Sequence, residues 1–284
     1  MSRKSLLWII VIAWLQLVGH AASALAVTDA QADEFMRKSG LWQQLAEVEA
    51  GVQQGITQSD TELRRLNDEQ LQRLRDAARA AYGAERLRTA MRTELAVSLP
   101  AVETEQALQF LTTDLGKRVA ALEEAAATPE NSDHIEMIAA DAAAALEPAR
   151  KALIERMVKA TRVAEVAASI MINQQMGVMR GFAVYAGHPD SASKEDEKAQ
   201  LNRYRDQMIA LLGPRMVAHS AVIYGPLSDE DLAKYVAFLE SPAGVKTSNA
   251  VGAALDKVLG VAAFELGRRI GDAIKPPDPS ATRT

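Results

Sequence analysis

Apolar residues recur every three to four positions soon after residue 27, and this spacing places them on one face of a helix. Phe35, Leu41, Trp42, Leu45 and Val48 follow it among polar neighbours. They predict an amphipathic helix that is bent at the glycine before Leu41. No stretch of the chain shows sustained alternation with a period of two. We therefore expect essentially no β-strand.

The sequence LNDEQL at residues 66–71 predicts the start of a helix. Asn67 can cap this helix, Gln70 can reach back to the cap, and the two flanking leucines can pack together as a hydrophobic staple. We expect the helix to continue to about Ala81.

A similar start occurs in the later sequence LSDEDL, where Ser228 can cap a helix and three acids follow in its first turn. This helix should end near Glu240. Ser241 can then cap a further helix that has Pro242 in its first position, where proline loses no needed donor. We expect that last helix to continue to about Ile274.

Two polar stretches, Thr128 to His134 and Gly187 to Asp196, are rich in residues that favour turns, and they are predicted to be loops. Residues 275–284 contain three prolines and are predicted to form a disordered tail.

The composition supports a helical fold. The chain has 52 alanines among 284 residues, whereas aromatic residues make up only 5%. Small side chains favour closely packed helices over a sheet of branched and aromatic residues. Together with the periodicity, this predicts an all-α helical bundle.

Charge and cysteine content exclude several classes of function. The formal charge is −5, and it becomes −7 without Arg3 and Lys4 of the leader described below. An acidic chain of this kind is a poor ligand for a phosphate backbone, so we expect no nucleic-acid partner. The chain has no cysteine. Disulfides, thiolate metal sites and cysteine nucleophiles are therefore excluded.

Residues 1–26 have the order of a secretory signal peptide. Basic residues come first, an apolar run of about 14 residues follows, and small residues precede Leu25 and Val27. That run is short of the roughly 20 residues a spanning helix needs. We expect cleavage, location in the periplasm and no membrane span afterwards. The alternative is an uncleaved membrane anchor.

An internal repeat relates two segments, FLTTDLGKR at 110–118 and FLESPAGVK at 238–246. They share an aromatic residue, a hydroxyl cap, a glycine and a terminal cation. The repeat predicts two diverged helical units from an internal duplication, at 28–127 and 146–274, with a connecting segment at 128–145. We expect the phenylalanine and the glycine of each copy to serve packing.

Residues 227–246, with a capped acidic helix, an aromatic residue, Ser-Pro and glycine, resemble the bacterial exported proteins grouped as domain of unknown function 2059. The match is weaker at residues 99–118. This resemblance implies a periplasmic all-helical fold, and it implies no activity and no catalytic residues.

Candidate catalytic groups are sparse. His134, His188 and His219 stand far apart, with no acid at metal-ligand spacing from another histidine, so no metal site is expected. The first two should be solvated in loops, and His219 should be a half-buried packing residue. No Gly-x-Ser-x-Gly motif and no phosphate-binding glycine loop occurs. We therefore predict no catalytic, cofactor-binding or metal-binding residue.

Two clusters allow more than one interpretation. The acids Asp229 to Asp231 could form a carboxylate pair for acid/base catalysis, but helix capping explains them fully. The second cluster contains four methionines with a phenylalanine and a tyrosine after them: Met157, Met171, Met176, Met179, Phe182 and Tyr185. It forms either the core of the second unit or a groove for a peptide, a lipid or a partner helix.

The sequence as a whole favours a binding or interaction module in the cell envelope, whose partner is an unknown protein, peptide or lipid. The alternatives are an envelope enzyme with dispersed acid/base residues and a purely structural factor. Carboxylates or histidines with shifted pKa values in a cleft would favour the enzyme, and an apolar groove between the units would favour binding.

The mature protein should begin at Leu25 or Val27, because small residues occupy the cleavage positions before both. Intact mass spectrometry of protein obtained by osmotic release measures this start. A chain that retains Met1 in the membrane fraction would show that residues 1–26 are an uncleaved anchor.

Overall fold

The computed structural model describes residues 27–58, 66–187 and 195–274. The predicted signal peptide, His188 and the predicted tail lie outside the described residues. Within these three ranges the regular elements are helices and no strand occurs, which confirms the predicted all-α fold. None of the described helices is long and apolar enough to cross a membrane.

The described residues form twelve helices in chain order. They are α1 (Asp29–Lys38), α2 (Leu41–Gln58), α3 (Asp68–Tyr82), α4 (Ala84–Ser98), α5 (Ala101–Leu111), α6 (Asp114–Ala126), α7 (Pro129–Ala144), α8 (Pro148–Thr161), α9 (Val163–Tyr185), α10 (Glu195–Ile223), α11 (Asp229–Leu239) and α12 (Pro242–Ala273).

The predicted helix starts are confirmed. Asn67 caps α3 by accepting a hydrogen bond from the backbone N–H of Gln70 at 2.8 Å, and the Gln70 side chain accepts one from the Asn67 backbone. Ser228 caps α11 in the same way, and Ser241 caps α12. These starts depend on side chains within three residues of the cap, which is why the sequence reveals them.

Two other expectations are wrong. Gly40 has a φ of +77°, a left-handed conformation that ends a helix, so the chain forms α1 and α2 and not one bent helix. The predicted loop from Thr128 to His134 is the start of α7. Thr128 caps this helix and Pro129 occupies its first position, as Ser241 and its proline do in α12.

Two large hydrophobic cores organise the described helices, and a third, small cluster joins α9 to α10. The first joins α1 to α5 with one side of α12. That side contributes Ala250, Ala254, Val258, Ala262 and Ala263. The second core joins α6, α8, α11 and the end of α10. The last helix therefore completes a core built mainly from the first half of the chain, whereas α6 of the first half contributes Val119 to the second core.

The closest helix pair is α9 with α12, where glycines allow the backbones to touch. A Cβ atom on Gly181 would overlap the carbonyl oxygen of Phe264, and one on Gly267 would overlap that of Val178. A Cβ on Gly177 would lie 2.8 Å from the carbonyl oxygen of Gly260. The position of α9 on α12 is therefore fixed by main-chain contact.

Residues 110–118 contain the tight turn that joins the end of α5 to the start of α6. The Thr113 hydroxyl accepts a hydrogen bond from the Gly116 N–H at 3.0 Å and donates one to the Phe110 carbonyl at 2.7 Å. A Cβ on Gly116 would overlap that carbonyl oxygen. The glycine is required because the end of the preceding helix lies against it.

The second copy of this sequence has the same geometry. Ser241 accepts from the Gly244 N–H at 3.1 Å and donates to the Phe238 carbonyl at 2.6 Å, and a Cβ on Gly244 would overlap that oxygen. The rings of Phe110 and Phe238 stack with their centroids 3.9 Å apart and their planes 5° apart. The two copies of the turn therefore meet through their phenylalanines.

Replacing Phe238 with alanine should lower the free energy of unfolding by about 3 kcal/mol, the low end for a phenylalanine truncation, because the ring is half-buried and loses its stacking partner. Urea melts measure the change. Val97→Ala is the control, since Val97 is 85% exposed and should cost no more than about 0.5 kcal/mol. Equal stability of Phe238→Ala and the wild type would contradict the packing role and favour a recognition surface.

Candidate functional site

A cavity of about 410 Å³ lies between the two cores and is partly open to solvent. Phe35 and Leu41 of the first core line it, and so do Val119, Met157 and Leu239 of the second. Its exposed wall is mainly apolar. The volume falls in the range of about 300–1,000 Å³ that is typical of sites for small organic molecules.

A single carboxylate, Glu123 of α6, lines this cavity among the described residues. Its Oε1 atom accepts hydrogen bonds from the hydroxyls of Tyr224, at 2.7 Å, and of Tyr235, at 2.8 Å. Tyr224 follows the end of α10, and Tyr235 lies on α11. Glu123 is 101 and 112 residues from the two tyrosines in the sequence, and the three side chains form one polar cluster in an apolar wall.

Arg150 of α8 positions Tyr224. Its guanidinium donates to the carbonyl oxygens of Tyr224, at 2.8 Å, and Leu227, at 2.9 Å, and it also pairs with Asp229. These contacts connect α8 to the turn between α10 and α11. The turn is therefore held at both ends, and Tyr224 remains within reach of Glu123.

Tyr235 is positioned by the start of α11. Ser228 caps that helix, and the Asp231 carboxylate accepts a hydrogen bond from Arg118 of α6 at 2.8 Å. This bond from Arg118 holds the pKa of Asp231 below its usual range. Since Arg118 and Glu123 are on the same helix, the ion pair fixes α11 against the helix that carries the cavity carboxylate.

Burial raises the pKa of Glu123, and the two tyrosine hydrogen bonds oppose part of this rise. The residue is half-buried by surface area and faces the cavity. Burial also raises the pKa of Tyr224 and of Tyr235 well above the ordinary value. Both hydroxyls therefore keep their protons and act as donors.

Aromatic rings extend from this cluster along the cavity wall. The rings of Tyr224 and Tyr235 have centroids 5.7 Å apart, and those of Tyr235 and Phe110 are 6.0 Å apart. Phe238, stacked on Phe110, continues the row. All four rings line the cavity. The carboxylate therefore lies at one end of a continuous aromatic surface.

His219 of α10 also lines the cavity, and it is half-buried as predicted. Its Nε2 atom lies 2.8 Å from Oε2 of Glu136 on α7, and Arg215 donates to the same oxygen at 2.6 Å. Hydrogen bonds from Arg215 and then His219 lower the pKa of Glu136. The imidazole is thus held by a carboxylate outside the cavity and is more than a packing residue.

The other predicted residues take structural roles or face solvent. His134 is exposed, on α7 and not in a loop. The acids of Asp229 to Asp231 serve the helix start and the ion pairs with Arg150 and Arg118. No cluster of potential metal ligands occurs within the described residues.

The methionine cluster is divided between interior and surface. Met157 is buried and lines the cavity. Met171, Met179 and Phe182 are 49%, 58% and 40% exposed, so the interpretation of these side chains as core is wrong. Helix α9 packs on α12 through its glycines and buries Ile172, whereas these three side chains remain exposed.

Sequence reasoning missed Glu123, Tyr224 and Tyr235. Glu123 lies in the sequence LEEAAA, which carries no motif, and neither tyrosine belongs to a catalytic or ligand-binding motif. The sequence does contain one signal for these tyrosines. The chain has only five tyrosines, and two of them lie on either side of the capping sequence LSDEDL.

Scans against protein-family models, curated proteins and solved structures find no match to this chain. The membership suggested by residues 227–246 therefore stays a prediction, and the site is interpreted from its own geometry.

Glu123→Gln should become more stable relative to the wild type as the pH rises from 4 to 8. The pKa of Glu123 is higher in the folded protein than in the unfolded chain, where it is about 4.3. The wild type therefore loses stability as the pH rises from the unfolded pKa through the folded pKa. Glutamine does not ionise and can still accept from both tyrosines. Urea melts at pH 4, 6 and 8 measure the difference, with Glu124→Gln as the control for loss of one charge. A difference that does not vary with pH would show that folding does not desolvate the Glu123 carboxyl.

Proposed function

We propose that this protein is an exported binding protein that takes a small, largely apolar organic molecule into the cavity between its two cores. The observation that carries the proposal is the apolar cavity of about 410 Å³ with one polar cluster, Glu123 with Tyr224 and Tyr235, in its wall. Apolar walls supply affinity, and a few fixed polar groups orient a ligand.

Binding is favoured over catalysis by the chemistry of the cluster. Glu123 has a raised pKa, which would suit a general acid, but both groups bonded to it are tyrosines that hold their own protons more firmly than usual. Acid/base catalysis generally pairs one group that gives a proton with another that accepts one. Glu136 and His219 contact each other instead of the Glu123 cluster.

Location in the periplasm is part of the proposal. The order of residues 1–26 supports export, and the resemblance of residues 227–246 to an exported family points the same way. The exposed apolar side chains of α9 offer a further surface for a protein or lipid partner. The cavity is nevertheless the better-defined site because it combines enclosure with positioned polar groups.

The purified mature chain should bind N-phenyl-1-naphthylamine, a neutral apolar dye whose fluorescence rises in an apolar site, and 1-octanol should displace it. Ser220→Phe adds a ring to the cavity wall and should weaken dye binding by at least about tenfold. Fluorescence titration measures both effects. Leu211→Phe, on an exposed side of the same helix, is the matched control and should bind as the wild type does.

Circular dichroism and urea melts of both variants establish that they are folded. Dye binding that survives Ser220→Phe unchanged, or the absence of binding by the wild type, would contradict a ligand site in this cavity.

A further inference from the structure

Glu123 differs from three acids that form ion pairs across the fold. Asp33 pairs with Arg92 at 2.6 Å, Glu103 with Lys246 at 2.6 Å, and Glu240 with Arg156 at 2.6 Å. These pairs lie near the surface, where an unpaired acid would cost little. Glu123 faces the cavity, yet it makes no ion pair within the described part of the chain.

A carboxylate that is removed from water needs a positive partner or a proton. The two tyrosines supply hydrogen bonds but no charge. Both hydroxyls donate to Oε1, and neither donates to Oε2. Part of the carboxyl group therefore has no tyrosine contact, while Glu123 faces the cavity.

The described walls around Glu123 contain neither lysine nor arginine among the residues that line the cavity. His219 is the one histidine in that set, and its Nε2 atom is held by Glu136. A ligand anion would therefore meet a like charge at Glu123, with no lysine or arginine in the described wall to compensate it.

The aromatic rings favour a cation at the same end of the cavity. Tyr224 and Tyr235 touch the carboxylate with their hydroxyls, and Phe110 and Phe238 continue the ring surface along the wall. Aromatic faces attract organic ammonium groups, and this attraction is greatest where water is excluded. A buried acid beside a row of rings thus offers both kinds of contact to one positive group.

We propose that the ligand of this cavity carries an organic ammonium group, which pairs with Glu123 at the aromatic end while its hydrocarbon part fills the apolar remainder. This inference rests on the proposed function and specifies the chemical class of the ligand. An ammonium group at Glu123 supplies the opposite charge that the protein lacks and favours the ionised carboxylate.

Three compounds with the same eight-carbon chain separate this inference from the proposed function: octylammonium, 1-octanol and octanoate. Each is titrated into the dye-loaded mature chain at neutral pH, where an alkylamine is protonated as lysine is. Octylammonium should bind at least about tenfold more tightly than 1-octanol, because a hydrogen bond between charged groups is stronger than a neutral one. Octanoate should bind most weakly.

Glu123→Gln should remove the preference for octylammonium over 1-octanol, because glutamine carries no charge to pair with the ammonium group. Glu124→Gln removes the same charge from the neighbouring position, which does not line the cavity, and should keep the preference. Isothermal titration calorimetry of both variants with both compounds gives the ratios.

The outcomes are distinct. Equal binding of octylammonium and 1-octanol by the wild type, or a preference that survives Glu123→Gln, overturns the ammonium inference and leaves the proposed binding function standing. Failure of all three compounds to displace the dye overturns both the ammonium inference and the proposed binding function. Tighter binding of octanoate than of 1-octanol also overturns the ammonium inference, because it would require a positive group in the cavity.

Discussion

The contact between α9 and α12 determines much of the rest of the structure. Glycines on both helices bring main chain against main chain, so neither helix can rotate or slide without a steric clash. The same α12 contributes small apolar side chains to the first core and residues such as Val251 and Leu255 to the cavity wall. Met171, Met179 and Phe182 of α9 remain exposed. A close helix contact here fixes the cavity wall beside an exposed apolar surface.

The cavity exists because the two large cores are in contact but do not pack into one continuous core. Their contact is bridged by the stacked rings of Phe110 and Phe238, and the space beside this stack is large enough for a small molecule. A well-packed protein has few voids larger than a water molecule. An enclosed carboxylate without a cationic partner is also unfavourable for stability. The void and the carboxylate of Glu123 are both unfavourable for stability, and they occur at one place. Selection for a binding site would retain such a combination.

Local features could be predicted from the sequence, and long-range features could not. The starts of α3, α11 and α12 depend on a cap and a neighbour three residues away, so they were visible. The start of α7 carried the same signal in Thr128 and its proline, but the surrounding polar residues suggested a loop. The division at Gly40 depends on its left-handed conformation, which the sequence did not reveal.

The candidate site could not be predicted from the sequence for a different reason. Glu123 lies 101 residues from Tyr224 and 112 residues from Tyr235 along the chain, and no periodicity relates residues that far apart. The burial that raises the pKa of Glu123 exists only after α6, α10 and α11 have packed together. In sequence it was one of many glutamates. The absence of a recognisable motif therefore carried no information against a site.

The two copies of the helix turn bear on how such a cavity could arise. In each copy a hydroxyl caps the second helix, a glycine lies against the last carbonyl of the first helix, and a phenylalanine precedes the turn. We propose that this shared geometry reflects an internal duplication. The stack of Phe110 on Phe238 would then be the place where the two copies face each other. On this proposal, a cavity beside such a contact acquires different side chains from each copy: the carboxylate of Glu123 follows the first turn, and the hydroxyl of Tyr235 precedes the second.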